Sequence, residues 1–227
     1  MGGMEMSGGT MTMMWTRMPG QSWPGTATSF LVMWVAMMGA MMLPSLVPTL
    51  WRHHACVRRT GSARAGRLTT LVGAGYFAVW AITGAIVFLF GAVLVQLAAH
   101  QAALTRVAPI VAGAAVLLAG VLQHSAWKAR RLAVCRESPA HGHAPATRAH
   151  AAWRHGVRLG VHCVGSCAGL TAAGMLVGAM DLRVMAAITT AITVERLAPS
   201  DARVVRAIGD VVVVVGLVLL ARAVSLA

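Results

Sequence analysis

Long stretches without a single charged side chain restrict what this chain can fold into more than any other feature. Leu68–Ala99 and Leu159–Met180 contain no Asp, Glu, Lys or Arg, and Val107–Trp127 is interrupted only by His124. An α-helix needs about 20 consecutive apolar residues to cross the hydrocarbon of a bilayer. Lipid offers no partner to an unpaired backbone amide or carbonyl, so such runs are helical. Charged residues make up 11% of the chain, against about 25% in an ordinary soluble domain. That is too little charge to coat a water-exposed surface. The expected fold class is all-α, a polytopic membrane helix bundle.

The pattern predicts about six transmembrane helices. They cover roughly Ala27–Trp51, Thr69–Gln96, Arg106–Trp127, His155–Met180, Leu182–Leu197 and Arg203–Ala221. Pro44 and Pro48 are expected to kink the end of the first, because proline lacks an amide hydrogen and crowds the preceding turn. The Thr69–Gln96 run exceeds the hydrocarbon thickness, so this helix must tilt or project. Met1–Gly25 contains no apolar core of signal-peptide length, which leaves the first span to direct insertion. A Met-rich tail over 1–25 and one helical domain over 26–223 are expected. A linker at about 128–154 would separate three spans from three.

Basic residues set the expected orientation. Of the 19, 15 fall in the loops after spans one, three and five. Such clusters stay in the cytoplasm, so both termini face out. The same clustering accounts for the net charge of +13 without nucleic acid, for which no binding motif is present.

Within this apolar background a few polar side chains stand out, and an ionisable group at membrane depth points by default to function. His162, Cys163 and Cys167 lie in the fourth span, with the two cysteines four residues apart and so on one helix face. Thiolate and imidazole together form a soft donor set for Cu(I) or Zn(II). Cysteine also packs as a small apolar residue, and both readings stand at this point. Glu195 follows Thr189, Thr190 and Thr193 and can supply charge to such a site or pair with Arg196. Asp210 is expected to pair with Arg206, and His124 to hydrogen-bond at the interface.

Methionine is the second signal. Seven of the 15 methionines fall in Met1–Met18, and Met33, Met37, Met38, Met41 and Met42 form a stripe along the first span. Thioethers suit Cu(I), though methionine also fills irregular contacts without metal. Gly160, Gly165, Gly169 and Gly174 are expected to thin the fourth span on one side, where neighbouring helices can approach closely. Nucleophile elbows, phosphate loops, zincin motifs and dinucleotide fingerprints are absent, so no enzymatic activity is expected.

Met18-Pro19-Gly20-Gln21-Ser22-Trp23, the run Met33–Ser45, Ala126-Trp127-Lys128 leading to Cys135-Arg136-Glu137-Ser138-Pro139, the segment His162–Gly169 and the segment Thr190–Leu197 together resemble a known family. It is a bacterial family of uncharacterised polytopic proteins described as predicted metal-binding integral membrane proteins. The resemblance implies a multi-pass protein of the bacterial cytoplasmic (inner) membrane with a metal partner. The combined expectation is a membrane protein that binds a soft metal, copper first, for transport, delivery or homeostasis. His162, Cys163, Cys167, Glu195, Met37, Met38, Met41 and Met42 are its candidate ligands, and the lipid bilayer is its surroundings. The alternative is a non-enzymatic structural or assembly subunit that packs against other membrane subunits through its small residues.

Overall fold

The computed structural model describes residues 22–59, 64–100, 102–136, 148–178, 181–197 and 202–225. Seven helices occupy them: α1 (Trp23–Arg59), α2 (Ala65–His100), α3 (Ala102–Gln123), α4 (Ala126–Arg136), α5 (Ala149–Gly178), α6 (Leu182–Leu197) and α7 (Ala202–Ser225). The fold is an all-α bundle. Four helices, α1, α2, α5 and α7, are long and apolar enough to cross a membrane. α3 and α4 together make a fifth if their bent pair counts as one span. At 16 residues, α6 is shorter than the roughly 20 that a full crossing needs. The Met-rich tail and most of the expected linker lie outside the described residues, but α4 shows that the chain just after Trp127 is helical.

Local chemistry explains the boundaries. Ser22 caps α1, its hydroxyl accepting from the Gly25 amide at 3.3 Å. Asp181 caps α6 through the Arg183 amide at 2.7 Å. Both satisfy donors that a helix start leaves free. Pro44 and Pro48 lie inside one helix of 37 residues, so α1 continues through them. The third expected span does not run straight to Trp127. It breaks at His124–Ser125, where Val107–Gln123 and Ala126–Ala133 bend by 65°. Ser125 produces the break: its hydroxyl donates to the Leu122 carbonyl at 2.7 Å and accepts from the Lys128 amide at 3.2 Å. One side chain thus ends α3 and caps α4.

α5 runs through the middle of the bundle, in contact with α2, α3, α4 and α6, while α1 packs on α2 and α6. The glycines of α5 do not share one side. A Cβ at Gly160 would meet Tyr76 and Val79 of α2, at Gly165 Arg131 of α4, at Gly169 Ala119 of α3, and at Gly174 Ile188 of α6. At about 100° per residue these positions wind round the helix, so each neighbour gets its own close approach. The tightest approach is at Gly156, where a methyl group would fall on the Val72 carbonyl.

The main core joins α1, α2, α5 and α6. Phe30, Trp34, Met38, Met42 and Leu46 come from α1, Tyr76, Trp80 and Phe88 from α2, and Cys163, Cys167 and Leu170 from α5, with Ile192 from α6. The α1 residues recur every four positions, which is the facing stripe of a helix. Trp34 satisfies its indole N–H on the Trp80 carbonyl at 3.0 Å. A smaller second core gathers Val57, Ala65, Leu68, Val72 and Ala152 where α1 ends and α2 and α5 begin.

Candidate metal centre

Two cysteines four apart on α5 place their thiols on the same face, and that face meets α1 and α2. Cys163 Sγ lies 4.0 Å from Cys167 Sγ and 3.9 Å from Met42 Sδ of α1. The Tyr76 hydroxyl of α2 lies 3.0 Å from Cys163 Sγ, and the Ser166 hydroxyl 3.6 Å from Cys167 Sγ. Cys163 and Met42 are 0% exposed and Cys167 2%. Three sulfur atoms from two helices therefore meet inside the core. Cys163 Sγ is the middle of the three, within 4.0 Å of both other sulfurs.

Charged groups border this cluster on one side. α6 carries Glu195 and Arg196, and the Ser125 turn swings Lys128 of α4 inward. Lys128 Nζ donates to Glu195 Oε1 at 2.9 Å and to Oε2 at 2.8 Å. Gln123 Nε2 of α3 adds a bond to Oε1 at 3.2 Å. Side chains of the pair are 4% and 2% exposed. Arg196 donates to the Ser45 hydroxyl of α1 at 3.1 Å. Arg196 and Lys128 are both near enough to act electrostatically on Cys167, and Arg196 acts on Cys163 as well.

The residues singled out in the sequence go to different places. Cys163, Cys167 and Met42 come together. His162 is half-buried, its Nδ1 has no hydrogen-bond partner, and its electrostatic neighbours are Arg131 and Arg158. Among the described residues no three His, Cys, Asp or Glu side chains converge in a way that could hold a metal ion. Glu195 gives both carboxylate oxygens to Lys128. Met37, Met38 and Met41 line a cavity together with Met175 and Met185. Asp210 meets the His124 ring across α3 and α7 at 3.4 Å. Cys56 is half-buried near the end of α1, away from the thiol pair.

Sequence reasoning passed over Tyr76, Lys128 and Gln123. Two of them carried a signal: Tyr76 is the chain's one tyrosine and sits in an uncharged run, and Lys128 is its one lysine.

An all-α bundle with several membrane-length helices and a buried cluster of two thiols and a thioether defines a class, the helical proteins with an internal soft-donor site. The chain belongs to the PpoB2 family, described as copper chaperones, whose family model matches residues 31–219. That match reaches from α1 into α7 and includes every sulfur of the cluster. It agrees with the resemblance to a metal-binding family seen in the sequence. No curated protein and no solved structure matches the chain.

Proposed function

We propose that this protein is a multi-pass copper carrier of the bacterial cytoplasmic membrane. It takes up Cu(I) between Met42, Cys163 and Cys167 and passes it on, with no bond-making chemistry of its own. The observation that carries this reading is the buried Cys163 Sγ lying within 4.0 Å of both Cys167 Sγ and Met42 Sδ. Soft, polarisable donors select Cu(I) over harder ions.

Charge around the cluster supports metal on thiolate. Lys128 and Arg196 both act electrostatically on Cys167, and Arg196 acts on Cys163 as well; nearby cations favour the deprotonated thiol that binds a metal. The closed site also suits a chaperone more than an open conduit. Cys163, Cys167 and Met42 are out of solvent, so copper enters and leaves only when helices part.

The surface supports the membrane. Ile82, Ile86, Leu89 and Phe90 of α2, and Val211 and Val214 of α7, are each more than half exposed. A soluble protein rarely shows contiguous apolar patches of this size. Trp51, Trp127 and Trp153 are exposed as well, as interfacial anchors are.

The test is copper loading of the full chain in detergent under reducing conditions, followed by elemental analysis beside a Cys163→Ser/Cys167→Ser variant. The proposal expects tight copper in the wild type and its loss in the variant. Equal copper in both, with the variant folded, would overturn it.

A further inference from the structure

Next to the thiol cluster is a cavity with a different lining. It lies between α1, α5 and α6 and is walled by Met37, Met38, Met41, Met175, Met185 and Thr171. Met38 is one helical turn from Met42, and Thr171 one turn from Cys167, so only about 6 Å along each helix separates the two places. The cavity has room for one particle of about water size.

One observation sets it apart from ordinary packing. Five of its nine lining residues are methionines, in a chain with 15 methionines among 227 residues. Methionine is the side chain that closes irregular gaps, yet five of them from three helices leave this gap open. Its wall is thioether and aliphatic carbon, with no polar surface turned into it.

We propose that this cavity is a second soft-metal site, separate from the thiol cluster. It would hold one monovalent ion, Cu(I) or Ag(I), on thioether sulfur. Thioethers are neutral and bind without releasing protons, so this site grips more weakly than the thiolates and exchanges its ion more readily. Its position, one turn away, makes it a holding place on the way to or from the cysteines. The choice of ion rests on the copper reading above; the existence of the site rests on the cavity and its lining.

The experiment is an Ag(I) titration of the full chain in detergent, with bound metal counted by elemental analysis after dialysis. The methionine methyl groups are followed by carbon-13 NMR. Wild type is compared with Met175→Leu/Met185→Leu, a volume-conserving change, and with the double cysteine variant. The expected result is one equivalent less in each double variant than in wild type, and wild-type Met175 and Met185 methyl signals that move with Ag(I). If the leucine variant binds as much as wild type, or those methyl signals stay still, the cavity is packing and the proposal falls while the thiol site stands. If only the cysteine variant is unaffected, the thioether site stands and the thiol reading falls.

Discussion

Lys128 and Glu195 give the bundle a buried ion pair whose removal has a calculable cost. The ammonium meets both carboxylate oxygens at 2.8 and 2.9 Å, and almost no solvent reaches either side chain. An exposed pair is worth about 0.2–1 kcal/mol. Here, deleting one partner strands a charge in the core, which costs about 3–5 kcal/mol. Replacing both with apolar side chains of similar volume is near neutral or stabilising. Lys128→Met and Glu195→Met should therefore each destabilise the protein strongly, and the double variant should recover most of the loss. For a chain of this size, about 3–5 kcal/mol corresponds to a fall of roughly 6–20 °C in Tm. Thermal melts of the four proteins in one detergent form the double-mutant cycle, which isolates the pair from its surroundings. Single variants that melt within about 2 °C of wild type, or a double variant no better than the singles, would refute the buried-pair reasoning.

Other outcomes follow from the same geometry. Copper affinity at the thiols should fall with acid, about tenfold per pH unit for each proton that the metal must displace; competition titration against a Cu(I) chelator measures it. Tyr76→Phe removes the hydroxyl next to Cys163, and at about 0.5–1.5 kcal/mol for one hydrogen bond the same titration should show copper held roughly twofold to tenfold more weakly. Gly156→Ala puts a methyl group onto the Val72 carbonyl and should cost about 1–3 kcal/mol of stability, read as a lower Tm, whereas Gly66→Ala, which meets nothing within 4 Å, should leave Tm close to wild type.

Helices were readable in the sequence wherever one local rule sufficed. Uncharged length located the long helices, and the four-residue spacings of Cys163–Cys167 and Met38–Met42 placed soft donors on single faces. Pairings between helices were not readable. Tyr76 and Cys163 are 87 residues apart, and Lys128 and Glu195 are 67 apart; no periodicity spans such distances. Lys128 looked like one more basic residue of a loop, because the Ser125 break that turns it inward was hidden in an apparently continuous apolar run. His162 adjoins Cys163 in sequence, but neighbours on a helix point about 100° apart, and its surroundings are arginines instead of thiols. Met175 and Met185 were counted with the rest because nothing in their local sequence marks them as sharing a cavity wall with α1.

The second core, around Val57, Leu68 and Val72, has a consequence for how the molecule comes apart. α1 has 37 residues and α2 has 36, so each is about 55 Å long, while the hydrocarbon takes up only about 30 Å. With the bundle in a bilayer, the end that holds this cluster stands clear of the acyl chains as a small aqueous cap. Water drives its burial, whereas van der Waals contact and lipid entropy hold the submerged part together. Urea would therefore loosen the cap first, and the protein would unfold in two stages, with the lipid-embedded helices outlasting their own rim.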